Sequence, residues 1–351
     1  MQQTAHAVNQ TFMIIRTKPV LVPGQASATE AQTWAVPSDA QGQRLDNFLL
    51  RHLKGVPKTH VYRIIRSGEV RLNGARAQAQ SRLGGGDTVR VPPIRVAQRD
   101  APAAVPHQGP ELPVLFEDAS LLVVDKPAGW AVHGGSGVQW GVLEWLRQHH
   151  EAGQALELVH RLDRETSGVL VLAKKRQALQ RLQAAFRARS VQKRYVALSH
   201  GHWPRAQQVV DVALLKTHSA DGQRVVRAVG PETEGAQRSI SVVSRIKNFT
   251  LREDKVCLLG VNIKTGRTHQ IRVHLAHAGH PIAGDDRYGL KGFNQRLQAM
   301  GLRRMFLHAQ QLTVMHPSHD TAIDLFSPLP KELLSLLPET AQSLLIDGVK
   351  N

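Results

Sequence analysis

Apolar residues between positions 44 and 72 recur with the spacing of two short helices, each of which has one buried face. The first stripe has the i, i+3, i+4, i+8 spacing of a helix face, and a second stripe follows Pro57; their members are Leu45, Phe48, Leu49 and Leu53, then Val61, Ile64 and Ile65. The stretches EVRLN (69–73) and TVRVP (88–92) alternate like short strands. We therefore predict a small unit of two helices and a hairpin over residues 39–97.

Strand-like and helical runs mix without regular alternation after residue 114. The strand-like runs cover 121–124, 169–172, 195–198 and 256–263, and the helical patterns cover 142–149, 176–188 and 268–278. A regular βαβ order would predict a parallel sheet, whereas this irregular order favours an α+β fold with a mixed or largely antiparallel sheet. We predict that this second domain spans residues 114–335.

The remaining segments lack a sustained apolar period. Residues 1–38 are rich in Gln, Ala, Thr and Pro, which predicts a disordered extension. Residues 98–113 carry four prolines and are interpreted as a linker. The last segment, 336–351, is interpreted as a C-terminal tail.

Positive charge is concentrated in the small N-terminal unit. The chain of 351 residues has 45 Lys and Arg against 28 Asp and Glu, a formal net charge of +17. Residues 44–99 hold 12 basic and 3 acidic residues of this total. A surface of this kind contacts the phosphates of a nucleic acid without reading its bases. The candidate contacts on or between the two helices are Arg44, Arg51, Lys54, Lys58, Arg63 and Arg66.

Several classes of protein are disfavoured by what the sequence lacks. Its longest apolar runs are shorter than a membrane helix needs, and the N-terminus lacks the pattern of a signal peptide. The single cysteine, Cys257, excludes an internal disulfide and a cysteine-based metal cluster. No GxxxxGK[ST] nucleotide-binding loop is present, and no GxSxG elbow of a hydrolase accompanies the HGGSG stretch. We expect a cytoplasmic protein without membrane association.

The first candidate for chemistry is the stretch HRLDRETSG, residues 160–168. A Thr-Ser-Gly turn leads from it into the apolar run that begins at Val169, so Asp163 is predicted to lie in a loop at the sheet edge. Arg161 and Arg164 flank this carboxylate and favour its charged form. Such a group can act as a nucleophile or stabilise an oxocarbenium-like centre. A charged surface turn is the alternative interpretation.

A second polar cluster lies at 263–289, where KTGRTHQIRVH leads into a predicted helix. Arg267, Arg272 and several histidines are concentrated here. His274, His277 and His280 have an i, i+3, i+6 spacing, but no HExxH motif is present and the cysteine is far away in sequence. Hydrogen-bonded or solvated histidines are therefore favoured over a metal site, and we predict no metal.

Taken together, these motifs resemble the RluA family of pseudouridine synthases. HRLDRETSG matches the signature of the family and KTGRTHQIRVH its later motif, while QKRYVAL, KPAGWAVHGGSG and FLHAQQL also fit. The basic unit resembles the S-four-like RNA-binding domain. The resemblance covers about residues 41–330 and implies an α+β pseudouridine synthase domain behind an RNA-binding domain.

The resemblance also implies a reaction and its residues. The N-glycosidic bond of a uridine in large-subunit ribosomal RNA is cleaved, the uracil rotates, and C5 is joined to C1′, without a cofactor or a metal. The catalytic aspartate of the family falls on Asp163, and its arginine partner on Arg272. Tyr195 stacks on the uracil and can assist proton removal from C5. Arg161 can fill the place of the flipped base. His160 and Arg267 join the RNA-binding set, and a monomer is expected.

Three points remain open at the level of sequence. Whether Asp163 attacks C1′ or promotes a glycal-like intermediate is not decided, and a non-catalytic ribosomal RNA-binding assembly factor is the alternative function. The segment 235–246 departs from the family pattern at Ser239, Ile240 and Val242, which leaves the local strand pairing open. Residues 290–305 are interpreted as a basic helical insertion that either touches RNA or covers the sheet.

Overall fold

A computed structural model describes residues 31–53, 56–94, 109–134, 140–218 and 224–347. The chain divides into two compact units, Met1–Ala104 and Val105–Asn351, and this division lies inside the predicted linker at 98–113. Most of that linker, like most of the predicted extension, lies outside the described residues. Among the described residues, no helix combines the length and the apolar character needed to span a membrane.

The smaller unit is a four-stranded sheet with two helices. Its elements are β1 (Gln32–Ala35), α1 (Leu45–His52), α2 (Lys58–Arg66), β2 (Arg71–Leu72), β3 (Ala75–Arg76) and β4 (Thr88–Val91), with sheet order β1-β4-β2-β3. All seven residues of the two predicted helical stripes contribute to its core, six of them fully buried and Leu53 partly. The predicted pair of helices and the two short strands are thus confirmed.

The larger unit has one extensive sheet and six helices in its described part. Its strands are β5 (Val114–Glu117), β6 (Leu121–Lys126), β7 (Glu157–Leu158), β8 (Ser167–Ala173), β9 (Gln192–His200), β10 (Gln207–Asp211), β11 (Ala213–His218), β12 (Arg224–Val229), β13 (Ile240–Leu251), β14 (Asp254–Ile263), β15 (Leu307–Met315) and β16 (Ala322–Phe326). Its helices are α3 (Val142–His149), α4 (Arg176–Ala188), α5 (Gln270–His277), α6 (Lys291–Ala299), α7 (Lys331–Leu334) and α8 (Glu339–Asp347).

The sheet is mixed, as the sequence predicts. Its order is β10-β13-β14-β9-β15-β8-β6-β5; in addition β7 pairs with β8 and β16 with β15, and β11 and β12 form a separate hairpin. The pair β8–β15 is parallel, whereas the other strand pairs of this sheet are antiparallel within the described residues. The two faces of the sheet are both covered, since alternate residues of β6 and β8 enter different apolar cores.

One row of residues crosses the centre of this sheet. Ala309 of β15 is aligned with Gly168 of β8 on one side and with Tyr195 of β9 on the other. Gly168 has φ +113°, and a Cβ atom built there would lie 2.2 Å from the Ala309 carbonyl oxygen. Only glycine permits this close approach. The Thr-Ser-Gly turn is therefore held directly against the strand next to Tyr195.

The structure corrects two predicted boundaries. Residues 32–35, assigned to the disordered extension 1–38, form β1 and pair with β4 in antiparallel register. Residues 336–347, assigned to the tail, contain α8, whose Ala341 and Leu345 are buried in the core of the larger unit. Both segments gain their order from a partner elsewhere in the chain, which their local composition does not reveal.

The predicted helical insertion at 290–305 covers the sheet. Phe293 and Leu297 of α6 are buried together with Leu302 and Phe306 in the same core as Val196 of β9. Of the two interpretations, the packing supports the covering role, because the apolar face of the helix is fully used inside the unit.

Candidate active site

The candidate carboxylate lies in the loop between β7 and β8. The Thr166 N–H donates a hydrogen bond to the Asp163 carbonyl oxygen at 3.1 Å, which closes the turn before the buried strand. The carbonyl of Arg164 accepts a hydrogen bond from the Gly129 N–H at 2.9 Å. The Asp163 side chain is 19% exposed. The loop is thus fixed by backbone bonds while its carboxylate stays accessible.

Lys126 anchors the same loop from the protein interior. Its side chain is fully buried, and Nζ donates hydrogen bonds to the carbonyls of Pro127 and Trp130 at 2.8 Å and of Arg164 at 3.0 Å. Burial lowers the pKa of Lys126 to about 7. Three acceptors use three N–H groups, which only the ammonium form carries, and they therefore favour the charged form.

Arg272 of α5 faces Asp163, but its strongest contacts are with another carboxylate. Arg272 Nη1 lies 3.9 Å from Asp163 Oδ2. Its Nε and Nη2 donate to Asp285 Oδ2 and Oδ1 at 2.8 and 2.7 Å. Asp285 is buried, which raises its pKa, but the hydrogen bonds from Arg272 outweigh this and hold the pKa below its usual value. Asp285 therefore orients the guanidinium so that its remaining amino group, Nη1, faces Asp163.

Helix α5, which carries Arg272, is tied to strand β13 through buried polar side chains. His274 Nδ1 lies 3.0 Å from Ser241 Oγ, and its Nε2 lies 2.9 Å from Ser239 Oγ. The side chain of Gln270 donates to the Ile240 carbonyl at 3.0 Å. The segment that departs from the family pattern thus pairs with β10 and β14 from Ile240 to Arg245, where the register shifts, and Ser239 and Ser241 hold the helix.

Tyr195 lies in the middle of β9, between β14 and β15. Its side chain is largely buried, with 9% of the residue exposed. Burial, and then the charge of Asp163, raise the pKa of the Tyr195 phenol. The ring therefore remains neutral in any ordinary buffer and offers a fixed aromatic surface.

Asp163, Tyr195 and Arg272 line one open cavity, whose volume of about 540 Å³ includes space open to solvent. Its walls come from the Asp163 loop, from β9 and from the segment that begins α5; the lining residues are Arg161, Leu162, Asp163, Thr166, Tyr195, Ile263, Gly266, Arg267, Thr268, His269, Gln270, Ile271, Arg272 and Leu307. The three predicted catalytic residues therefore meet around a single site.

Comparison with known proteins identifies the family. Residues 120–277 match the model described as RNA pseudouridylate synthase, and residues 43–89 match the S4 domain. A relative from Yersinia pestis, named Ribosomal large subunit pseudouridine synthase C, is 46% identical over 86% of this chain and 93% of its own length. The chain belongs to the RluA family of RNA pseudouridine synthases. The protein of the same name from Escherichia coli (strain K12) is 45% identical over 85% of this chain and 93% of its own.

Solved structures agree with the assignment to the RluA family. Human RNA Pseudouridylate Synthase Domain Containing 4 is 29% identical, with a TM-score of 0.51 over 66% of this chain and 92% of that one. Human RNA Pseudouridylate Synthase Domain Containing 1 is 25% identical, with a TM-score of 0.54 over 68% of this chain and 95% of that one. The chain is accordingly an RNA pseudouridine synthase with an α+β fold and an S4 domain.

The predicted RNA-binding residues of this synthase fall into different environments. Arg161, which is exposed, and Arg267 line the cavity. His160 does not line it: Nε2 accepts a hydrogen bond from the Val171 N–H at 3.0 Å, and the ring stacks on Phe186. Burial lowers the pKa of His160 to about 4. Its hydrogen bond and its packing connect the loop to the core.

The basic residues of the S4 domain also differ from one another. Arg44 forms an ion pair with the buried Asp46 at 2.6 Å, and Arg63 forms an exposed pair with Glu69 at 3.2 Å. Lys54 lies outside the described residues. The other three are exposed and have no ion-pair partner within the part of the chain that the structure describes: Arg51, Lys58 and Arg66.

The histidines considered as metal ligands do not converge. His274 is held by the two serines, and His280 Nδ1 lies 2.9 Å from the His200 carbonyl oxygen. A different group, Asp118, His316 and His319, has its ligand-type atoms within 4.8 Å of one another. However, Asp118 and His316 already share a 2.8 Å hydrogen bond, and the two imidazole rings are stacked 17° from parallel, so their nitrogens do not aim at a common point.

Sequence reasoning missed several residues that shape the site. Lys126 lies in the KPAG stretch, and Asp285 and Tyr288 lie in the polar cluster at 263–289, but the sequence predicts no function for any of the three. The Arg272 guanidinium lies over the Tyr288 ring at 5.0 Å. The available signal is the acidic pair at 285–286, which begins 13 residues after the predicted site residue Arg272. His269 was counted among the histidines but given no function of its own.

Proposed function

We propose that this enzyme converts uridines of large-subunit ribosomal RNA to pseudouridine, with Asp163, Tyr195 and Arg272 as its catalytic residues. The observation that carries the assignment is that these three side chains line one cavity. The names of the relatives support the choice of RNA. Family membership favours this function over the binding-only alternative.

The reaction exchanges one bond to the ribose for another. The bond between N1 and C1′ breaks, the bond between C5 and C1′ forms, the C5 proton is lost and N1 gains a proton. Asp163 supplies the negative charge that this sequence needs at C1′, either by attack or by stabilising an electron-poor ribose on the way to a glycal. Arg272, buried and 3.9 Å away, faces that carboxylate without forming the tight pair that would block it.

Tyr195 contributes a stacking surface in this proposal. Because burial raises its pKa, the phenolate form that could remove the C5 proton is disfavoured at neutral pH. A neutral aromatic ring fixed in the centre of a sheet can instead hold the released uracil while it turns. The stacking function is therefore preferred to that of a base.

RNA binding is assigned to two sets of residues. Arg161 and Arg267 at the cavity contact the backbone near the flipped uridine, and Arg161 fills the vacated place in the helix. Arg51, Lys58 and Arg66 contact phosphates from the S4 domain. Arg44 and Arg63 are assigned weaker contacts because acidic partners already engage them. His160 is left out of the set that we propose to touch RNA.

The remaining assignments follow from the substrate. We infer that the enzyme acts as a monomer in the cytoplasm, where ribosomal RNA is available in bacteria, and that it needs neither a metal nor an organic cofactor. The reaction is redox-neutral and releases no group, so its bond changes call for no redox cofactor and no acceptor molecule.

Substitution of the carboxylate provides the central test. Asp163→Asn preserves shape and removes charge, so we expect loss of pseudouridine formation by at least about 1,000-fold with RNA affinity within about twofold of wild type. Release of tritium from C5-labelled uridine in a large-subunit ribosomal RNA transcript measures the reaction, and carbodiimide mapping locates the products. A wild-type enzyme that binds the transcript but forms no pseudouridine would support the assembly-factor alternative instead.

A further inference from the structure

His269 lies in the cavity wall in an unusual backbone conformation. It lines the site with Asp163 and Tyr195, and its φ of +53° is in the left-handed region, which residues other than glycine rarely adopt. The neighbouring Gln270 holds the backbone there, because its Oε1 accepts hydrogen bonds from the Thr265 hydroxyl at 2.7 Å and the Arg267 N–H at 3.1 Å. Strain that the surroundings maintain in this way is concentrated at functional sites.

The ring of His269 is oriented by Tyr288. The Tyr288 hydroxyl lies 2.8 Å from His269 Nδ1 and accepts a hydrogen bond from the Val226 N–H at 3.1 Å. The hydroxyl carries one proton of its own, and donating it to Nδ1 gives the phenol both a donor and an acceptor bond. The proton of a neutral His269 ring is thereby assigned to Nε2.

The environment keeps this ring neutral and its second nitrogen available. Burial lowers the pKa of His269, against an opposite effect of the Asp163 charge. Within the described residues, Nε2 has no hydrogen-bond partner. A neutral N–H donor, fixed in position and unpaired, is thus part of the wall that faces the proposed base pocket.

The symmetry of uracil suggests what this donor meets. Turning the ring about its C6–N3 axis exchanges N1 with C5, which the reaction requires, and it also exchanges the C2 carbonyl with the C4 carbonyl. A single N–H donor beside the ring therefore finds a carbonyl acceptor both before and after rotation. Cytosine lacks this symmetry, because it carries an amine at C4.

We propose that His269 donates a hydrogen bond from Nε2 to the exocyclic carbonyls of the flipped uracil and selects this base over cytosine. The proposal rests on the proposed site around Asp163. It makes His269 a catalytic residue that touches the base before and after its rotation, and Tyr288 a positioning residue that fixes the imidazole.

Two amide variants separate the effect of side-chain length from any effect on the backbone conformation. His269→Asn tolerates the left-handed conformation but is too short to replace Nε2, whereas His269→Gln can place an amide N–H near the same point. We expect single-turnover pseudouridine formation to fall about 10- to 100-fold in H269N and to recover at least fivefold from that level in H269Q. RNA affinity and melting temperature should stay near wild type. Tyr288→Phe, which keeps the aromatic ring, should show a smaller loss.

A modified substrate tests the contact itself. A transcript that carries 4-thiouridine presents a weaker acceptor at C4, so wild-type enzyme should react more slowly on it than on the uridine transcript, and this difference should vanish in H269N. The idea is overturned if H269N keeps the wild-type rate, or if the thio effect persists in H269N. Failure of the wild-type enzyme on both transcripts would instead overturn the proposed function, and this inference with it.

Discussion

The guanidinium of Arg272 is bound more closely by Asp285 than by Asp163. Two hydrogen bonds of 2.7 and 2.8 Å join it to the buried Asp285, against 3.9 Å to the carboxylate in the proposed reaction centre. One carboxylate thus fixes the arginine, while the other stays free for the substrate. This division of labour gives the first of four predictions.

Asp285→Asn should damage both stability and activity. It removes the charge that compensates the buried guanidinium, and breaking a buried pair costs about 3–5 kcal/mol. We expect a loss of that order in the free energy of unfolding and a fall in rate of at least about 10-fold, measured by denaturant titration and tritium release. Asp286→Asn is the matched control, since Asp286 is 84% exposed and lies 3.4 Å from the same guanidinium. Equal effects of the two variants would contradict the assignment.

Lys126→Met should reduce stability more than catalysis. It leaves three carbonyls without their common donor, and each unsatisfied group costs about 1–3 kcal/mol. The Arg164 carbonyl still accepts the Gly129 N–H, so the loop of Asp163 keeps one of its anchors. We expect the melting temperature to fall while the rate, assayed well below it, stays within about tenfold. The exposed Lys175→Met variant should change neither quantity, and a normal melting temperature in Lys126→Met would refute the prediction.

The combined variant Arg51→Gln, Lys58→Gln, Arg66→Gln should weaken RNA binding in a salt-dependent way. Each lost phosphate contact reduces the slope of log affinity against log salt by roughly 0.7–0.9, so the slope should become shallower by about 2. The single-turnover rate at saturating RNA should hold, because these residues do not line the cavity. An unchanged slope in filter-binding measurements would remove the three residues from the interface.

His308 should make the fold sensitive to mild acid. It is fully buried, and burial lowers its pKa to about 4 from the ordinary value near 6.5. The unfolded chain therefore binds a proton between pH 6.5 and pH 4 that the folded chain does not. The resulting loss of stability begins below pH 6.5 and reaches roughly 3 kcal/mol at pH 4.

The variant His308→Gln isolates this effect. Arg304 donates a hydrogen bond to Ser167 Oγ at 2.6 Å. The Ser167 hydroxyl lies 2.8 Å from His308 Nδ1 and donates its own proton to that nitrogen. Glutamine preserves a polar group but does not titrate, so its unfolding free energy should change less between pH 7 and pH 5 than that of the wild type. Parallel pH dependences of the two proteins would show that His308 is not responsible.

The sequence predicted elements whose signal is local and missed those whose order depends on a distant partner. The stripes of α1 and α2 and the apolar run of β8 carry their own periodicity. Strand β1 has no such signal, because QTWA becomes a strand only against Thr88–Val91. Likewise, motifs located Asp163, Tyr195 and Arg272, whereas the pairing of Arg272 with Asp285 and of His269 with Tyr288 arises from packing that residue order alone does not specify.

The contact of Gly168 with Ala309 limits how far side-chain substitutions can change the geometry of the active site. Because Ala309 also adjoins Tyr195, the spacing between the turn after Asp163 and the backbone of Tyr195 is set by main-chain contacts. No rotamer change can widen or narrow it. The walls around this spacing, such as the segment that begins α5, are therefore the part of the site that side-chain substitutions can reshape.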